Sequence, residues 1–234
     1  MNEKSSTAWE QHESSSDNLL DKEWKEINWE NAEKVVSRIQ IRIAKAAKNE
    51  NWSLVKRLQY LITNSLYAKL IAVKRVTSNK GKRTSGVDKD LWDTNCKKMK
   101  AVEELQNRGY KAKPLKRIYV EKPGKKEKRP LSIPTMKDRA MQALHLLALE
   151  PVAETTGDRV SFGFRKYRSA HDAMEYTFKL LSKGNSPQWV IEGDIKGCFD
   201  NINHQFLLKT IPMNKNMLKK FISAGYIYNC KFSN

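Results

Sequence analysis

From Asn31 to Val73 the apolar residues recur every three to four positions, and this regularity constrains the chain more than any other feature. Val36, Ile39, Ile43 and Ala46 line one face as far as about Lys48. Asn51-Trp52-Ser53 interrupts the pattern, and Ser53 has the chemistry of an N-cap. Leu54, Leu58, Leu61, Ile62, Leu66, Leu70 and Val73 then mark a second helix. Two amphipathic helices joined by a short polar turn predict an antiparallel pair. Their more polar sides carry Arg38, Arg42, Lys45, Lys48, Lys56, Arg57, Lys69, Lys74 and Arg75. Such a face is either a solvated surface or a contact for phosphates.

Charge bears on that choice. The 234 residues carry a net charge of +18, and the excess is uneven. Residues 1–30 hold eight acids and three bases, a net of −5, which leaves +23 on the rest. A basic body of this size calls for a polyanionic partner, nucleic acid above all. The length suits one large domain or two small ones. Residues 1–22 are Ser-rich and acidic and read as a disordered leader. They lack the basic-then-apolar order of a signal peptide. No apolar run approaches the ~20 residues of a membrane span. Cys96, Cys198 and Cys230 are odd in number and have no metal-ligand spacing, which suits a reducing compartment. His12, His145, His171 and His204 form no zinc pattern.

Downstream of the helical pair, Ser78–Gly86 is a basic loop by composition, with Lys80, Lys82 and Arg83. A short helix is expected over Lys97–Arg108, stopped by Gly109. Two β-type runs, Leu115–Val120 and Arg129–Ile133, flank a Pro-Gly turn and predict a hairpin. Residues 111–129 hold nine bases and two acids. That hairpin is either an edge guarded by lysines or a phosphate-binding finger, with Lys122 and Arg129 near opposite sides of its turn. An apolar helix is expected over residues 138–150, ending before Pro151, with His145 on the flank of its buried face as a satisfied core histidine. Ser169 with Asp172 three residues on predicts a capped helix from Ala170 to Lys183. Gln188–Asp194 reads as a strand, and Asn203–Thr210 and Lys215–Ala224 as short helices.

The stretch VIEGDIKGCFDNINH, residues 190–204, runs an apolar segment straight into Asp194. A carboxylate at the end of a strand can hold Mg²⁺ against a substrate phosphate, since Mg²⁺ prefers one or two carboxylates with phosphates and water. Two such ions serve an in-line phosphoryl transfer. The alternative is an aspartate that shapes the turn after the strand. Asp200 reads as a turn or cap acceptor, and Phe199 as core.

DIKGCFD (194–200) resembles the first carboxylate motif of reverse transcriptases, and the surrounding sequence resembles those encoded by group II introns. PLKRIYVEKPGKKEKRPLSIP (114–134) is similar to that family's first finger motif. DRAMQALHLLALEPVAE (138–154) and SFGFRKYRSAHDA (161–173) resemble the second, and WVIEGDIKGCFDNINH (189–204) the third. Upstream, residues 27–88 resemble the family's RNA-holding N-terminal extension. The likeness covers roughly residues 24–234.

The resemblance implies an RNA-directed DNA polymerase working on intron RNA, in a bacterial cytoplasm or an organellar matrix and without a membrane. The alternative is a maturase-like module that binds RNA and assists splicing without copying it. The implied fold class is α+β: a helical N-terminal extension over 23–110, then fingers with a β-hairpin and an incomplete reverse-transcriptase palm over 111–234. By resemblance Asp194 is the first metal-binding carboxylate, with the Ile195 carbonyl near a metal and Mg²⁺ as the cofactor. Phe199 lies under the incoming sugar and favours dNTP. Lys122 and Arg129 clasp the triphosphate. Arg38, Lys74, Arg75, Lys80, Lys82 and Arg83 face intron RNA, and Arg165 and Arg168 place the template or brace the site. The RNA template and DNA primer complete the partners. The family often has Thr-Pro-Gly-Val-Asp-Gly where this chain has Thr84-Ser85-Gly86-Val87-Asp88-Lys89, and Arg-Pro-Gly-Arg where it has Arg165-Lys166-Tyr167-Arg168. No Tyr-Ala-Asp-Asp or Pro-Gln-Gly sequence occurs in the 234 residues. The palm is therefore expected to be unfinished, with its other metal carboxylates absent from these residues, and a complementing C-terminal fragment or a homodimer is a further expected partner.

Overall fold

A computed structural model describes residues 6–121, 123–124 and 127–233. The expected α+β class is found, with the helices leading and a small sheet attached. Helix α1 (Ser6–Glu26) occupies most of the leader read as disordered, which corrects that expectation for residues 6–22. Asp17, Leu20, Asp21 and Trp24 fall at helical spacing on one side, so the docking face mixes acids with apolar groups and does not look hydrophobic. That side meets α5 (Asn95–Glu104). Asp17 accepts hydrogen bonds from Lys100 Nζ at 2.7 Å and from the Cys96 thiol at 3.0 Å. Trp24 is buried edge-on against Trp29, ring centroids 5.1 Å apart.

The predicted pair is three helices: α2 (Trp29–Lys48), α3 (Trp52–Asn64) and α4 (Leu66–Ser78). Asn51, not Ser53, caps α3, accepting from Leu54 N at 3.0 Å. The second helix breaks at Ser65, which is extended. Thr63 and Asn64 turn their side chains back onto the carbonyls of Gln59 and Tyr60, and such local bonds compete with a continuing helix.

At the centre lies α6 (Met136–Thr156), which packs on α2, α3 and α4. It runs through Pro151 instead of stopping before it. Proline has no N–H for the carbonyl four residues back. That carbonyl, on Leu147, accepts from Gln40 Nε2 of α2 at 2.8 Å, so a neighbouring helix supplies the lost bond. The start of α6 is fixed by a buried network: Thr135 caps it, and Asp138 accepts from Thr135 Oγ1 and Tyr110 Oη, both at 2.6 Å.

The hairpin forms as β1 (Leu115–Glu121) and β2 (Lys128–Ile133), with Val120 opposite Arg129. Two further strands, β3 (Tyr226–Tyr228) and β4 (Lys231–Ser233), extend it in the order β2-β1-β3-β4. β3 runs parallel to β1, and Leu115 N donates to Gly225 O at 2.9 Å.

Residues 153–216 are different. They include α7 (Ala170–Leu181) and α8 (His204–Thr210), yet none of them is buried. The strand expected over Gln188–Asp194 does not form: the segment is unpaired, with Trp189 92% and Ile191 97% exposed. A strand needs a neighbour for its backbone groups, and among the described residues none runs beside it. α9 (Lys215–Ile222) returns to the body and buries Met217 and Leu218. No helix of the described residues is long and apolar enough to cross a membrane.

Candidate nucleic-acid interface and nucleotide site

The basic loop after α4 is held in shape by its own backbone and by one arginine. Lys82 N bonds Asn79 O at 3.1 Å and Thr84 N bonds Gly81 O at 3.0 Å, giving successive turns. Arg139, in the first turn of α6, donates to Gly81 O at 2.9 Å and to Thr84 O. Burial lowers the Arg139 pKa, partly offset by Asp88. At the loop's end a Cβ on Gly86 would fall 2.7 Å from the Thr135 backbone, so only glycine allows this approach to the start of α6. Lys80, Lys82 and Arg83 are therefore exposed on a fixed support. Nothing in the sequence pattern marked Arg139 as the clamp.

Arg38 and Arg75 are exposed, on α2 and α4. Lys74 lies 4.3 Å from the centre of the Trp29 ring and 3.6 Å from Glu33, so part of its charge is already engaged. Arg129 is exposed on β2. Lys122 lies outside the described residues.

Asp194 and Ile195 are exposed on the unpaired segment. Gly197, at φ +62°, lets the chain turn back after Lys196, and its carbonyl accepts from Asp200 N at 3.1 Å and Asn201 Nδ2 at 2.8 Å. The turn leads into a 3₁₀ segment, Phe199–Asn201. Phe199 is 78% exposed and meets Phe164 edge-on at 6.2 Å, so it is not core. Phe164 and Tyr167 both have positive φ, 58° and 62°, an uncommon state for aromatic residues that the surrounding loop must hold.

Arg165 and Arg168 do that holding. Arg165 grips Glu154 with two parallel bonds of 2.9 and 2.8 Å and also donates to Asp158 O. Arg168 donates to the carbonyls of Arg159 at 2.6 Å and Ser161 at 2.9 Å. The Arg165 bonds hold the Glu154 carboxyl below its ordinary pKa. Both guanidinium groups are thus engaged within the protein, tying the 158–168 loop to the end of α6. Glu154, their common partner, was not foreseen from the sequence.

Among the described residues no three His, Cys, Asp or Glu side chains converge on a point that could hold a metal. Asp194 offers a single carboxylate, which does not by itself fit a two-metal centre.

Residues 24–118 match the family model for the N-terminal domain of reverse transcriptase, and residues 120–233 that for reverse transcriptase, RNA-dependent DNA polymerase. The chain is 35% identical over 200 residues to the group II intron-encoded protein LtrA of Lactococcus lactis subsp. cremoris, a match covering 82% of this chain and 33% of that protein. The chain belongs to the group II intron-encoded reverse transcriptase family. Protein YkfC of Escherichia coli K12 is 34% identical over 208 residues, covering 82% of this chain and 54% of that one. Maturase-like protein 1 of Euglena gracilis is 26% identical over 195 residues, covering 81% and 42%. This reverse-transcriptase chain thus spans about a third of LtrA and about half of YkfC.

Proposed function

We propose that these residues form the N-terminal part of an RNA-directed DNA polymerase of group II intron type, which copies intron RNA and assists its splicing and mobility. Residues 23–110 are its RNA-binding extension, and residues 111–234 its fingers and the start of its palm. The observation that carries this reading is the clamped basic loop at Lys80, Lys82 and Arg83. It stands in one chain with the finger hairpin and the DIKGCFD turn, in the order of the two family matches. Arg38, Lys74 and Arg75 extend that surface toward RNA. Lys122 and Arg129 take the triphosphate of a dNTP, a role suited to charge-assisted bonding. Asp194, with the Ile195 carbonyl, takes part in holding Mg²⁺, and Phe199 stands under the sugar. Arg165 and Arg168 brace the loop that carries Phe164 beside Phe199.

A second reading, an RNA-binding module that assists splicing without polymerising, is compatible with the same clamped basic loop at Lys80, Lys82 and Arg83. Primer extension with Mg²⁺ and dNTPs, run beside filter binding at several salt concentrations, separates the two. The chain alone binds RNA, with log affinity falling by ~0.7 per neutralised phosphate against log salt, and it does not extend a primer. Adding a polypeptide with the remaining palm carboxylates restores extension, and Asp194→Ala abolishes it. Extension by the pure chain refutes the need for a complement. RNA binding that is absent or indifferent to salt refutes the RNA-binding reading.

A further inference from the structure

A cavity of about 490 Å³ opens between α3, the turn after α5, α6 and the start of α9, and neither the hairpin nor the Asp194 turn lines it. Its size falls within the range of small-ligand sites. Gln59 donates both amide hydrogens from α3, to Ala148 O at 3.3 Å and to Pro212 O at 2.8 Å. Its Oε1 is left with no hydrogen bond among the described residues, and it is not sealed from solvent. His145 Nε2 lies 3.0 Å from Asn107 Oδ1, which only accepts, so Nε2 carries the proton and Nδ1 is a bare acceptor. Asn107 is fixed in that sense because its amide donates to Thr63 Oγ1 at 3.3 Å. Burial keeps the His145 ring neutral, its pKa lowered to about 4. Gln59 and His145, which both line the cavity, therefore each keep one neutral acceptor without a protein donor.

Other lining residues are of another character. Tyr60 is 71% exposed at the cavity's edge, with Lys56 one helical turn before it. Lys215 also lines the cavity, its ammonium group donating to Ile211 O at 2.7 Å. No acidic residue lines the cavity. Two neutral acceptors, an exposed aromatic ring and ammonium groups match a ligand with N–H donors on a flat ring and an attached phosphate.

We infer that this cavity takes an unpaired purine nucleotide of bound RNA, guanosine best of all, with the base stacked on Tyr60 and its phosphate beside Lys56. Guanine presents N1–H and its 2-amino group side by side, whereas adenine presents only an amino group and inosine lacks it. Stacking on one aromatic side chain is a main source of affinity for single strands. The inference rests on the RNA-binding reading above, deepening it to one nucleotide, and it asks nothing of the polymerase site.

The test uses the full chain with imidazole ¹⁵N labelling. The ligands are a U-rich RNA decamer with one central guanosine, the same decamer with inosine, and free guanosine 5′-monophosphate. The guanosine decamer moves the His145 ring signals, inosine weakens binding ~5-fold, and Tyr60→Ala weakens it ~10-fold, a size typical of one lost stack. Lys56→Ala lowers the salt slope by ~0.7, one phosphate's worth on a single strand. Movement of the His145 signals by the free monophosphate also supports the site and identifies a mononucleotide as sufficient. If the decamer binds with full salt dependence while the His145 signals stay still and Tyr60→Ala binds as the parent does, the cavity is excluded and general RNA binding stands. If the decamer does not bind at all, the monophosphate still decides: unmoved His145 signals exclude the cavity.

Discussion

Helices α6 and α7 are both opened by a hydroxyl residue with aspartate three positions on, yet α6 buries ten residues and α7 none. The contrast extends to their surroundings. The body from Trp24 to Val152 has a continuous core, while residues 153–216 form an arm with helices, turns and braces but no buried side chain. Helix formation on the arm therefore rests on local terms: a cap, i to i+4 pairs such as Glu175 with Lys179, and the Glu154 clasp. Such terms contribute tenths of a kcal/mol to about 1 kcal/mol each. Burial of one large aliphatic side chain contributes more than several of them together.

The sharpest way to break this comparison is to delete apolar side chains in both regions. Leu144 of α6 is fully buried, whereas Phe178 of α7 is 70% exposed. Leu144→Ala is expected to cost about 2–5 kcal/mol. Phe178→Ala is expected to stay within about 0.5 kcal/mol. Urea denaturation followed by circular dichroism reads both. A comparable loss in the two variants would mean that the arm has an interior after all.

Acid sharpens it next. His145 is buried and holds a pKa of about 4 in the folded protein. In the unfolded chain its value is about 6.5. Between those values the unfolded imidazole takes a proton that the folded one refuses. Stability is therefore full above about pH 6.5, declines as pH falls, and levels off below about pH 4, with a loss on the order of 3 kcal/mol. His145→Gln should flatten that window. Hydrogen bonds from Arg165 and from Ser169 hold the Glu154 and Asp172 carboxyls below their ordinary values. A parent protein equally stable at pH 7 and pH 4.5 would contradict the neutral buried ring.

What the sequence revealed follows the same division. Periodicity found α2 and the apolar faces of α3 and α6, because those helices are buried on one side and the spacing records it. Turn chemistry found the hairpin and the Ser169 cap. The docking of α1 was hidden because half of its contact face is ionic. The passage of α6 through Pro151 was hidden because Gln40, 111 positions away, supplies the bond proline cannot make. The Gln188–Asp194 run has the composition of a buried strand, but composition does not provide a neighbour. At the site, residue types and motifs pointed to phosphates and RNA. They did not reveal that Arg165 and Arg168 are occupied by Glu154 and backbone carbonyls, since those pairings depend on loop geometry.

The Pro151 arrangement gives a smaller test within the body. Gln40→Leu leaves the Leu147 carbonyl without its donor and should cost about 1–2 kcal/mol. Pro151→Ala returns a helical N–H to the same carbonyl. The double variant should then recover most of the loss, measured as a coupling in a double-mutant cycle. Purely additive effects would mean that Gln40 stabilises α6 by packing alone.

The finest comparison uses the two caps themselves. Thr135 and Asp138 are both buried, and Asp138 also accepts from Tyr110 Oη at 2.6 Å and from Lys113 N at 3.3 Å. That coupling, with burial as the larger cause, pushes the Tyr110 phenol pKa upward. Ser169 and Asp172 make the reciprocal bonds of a capping box in the open, Ser169 N donating to Asp172 at 2.6 Å and Asp172 N to Ser169 Oγ at 3.3 Å. Thr135→Ala removes a cap and one of the donors to a buried carboxylate, so it should lower global stability by about 2 kcal/mol. Ser169→Ala removes only a cap, worth about 1 kcal/mol, from a helix that buries nothing. Its loss should appear as faster amide exchange across Ala170–Leu181, with the denaturation midpoint of the body unchanged. The two caps are alike in chemistry and differ in what lies behind them. Ser169→Ala shifting the global midpoint as far as Thr135→Ala would show that arm and body unfold as one unit.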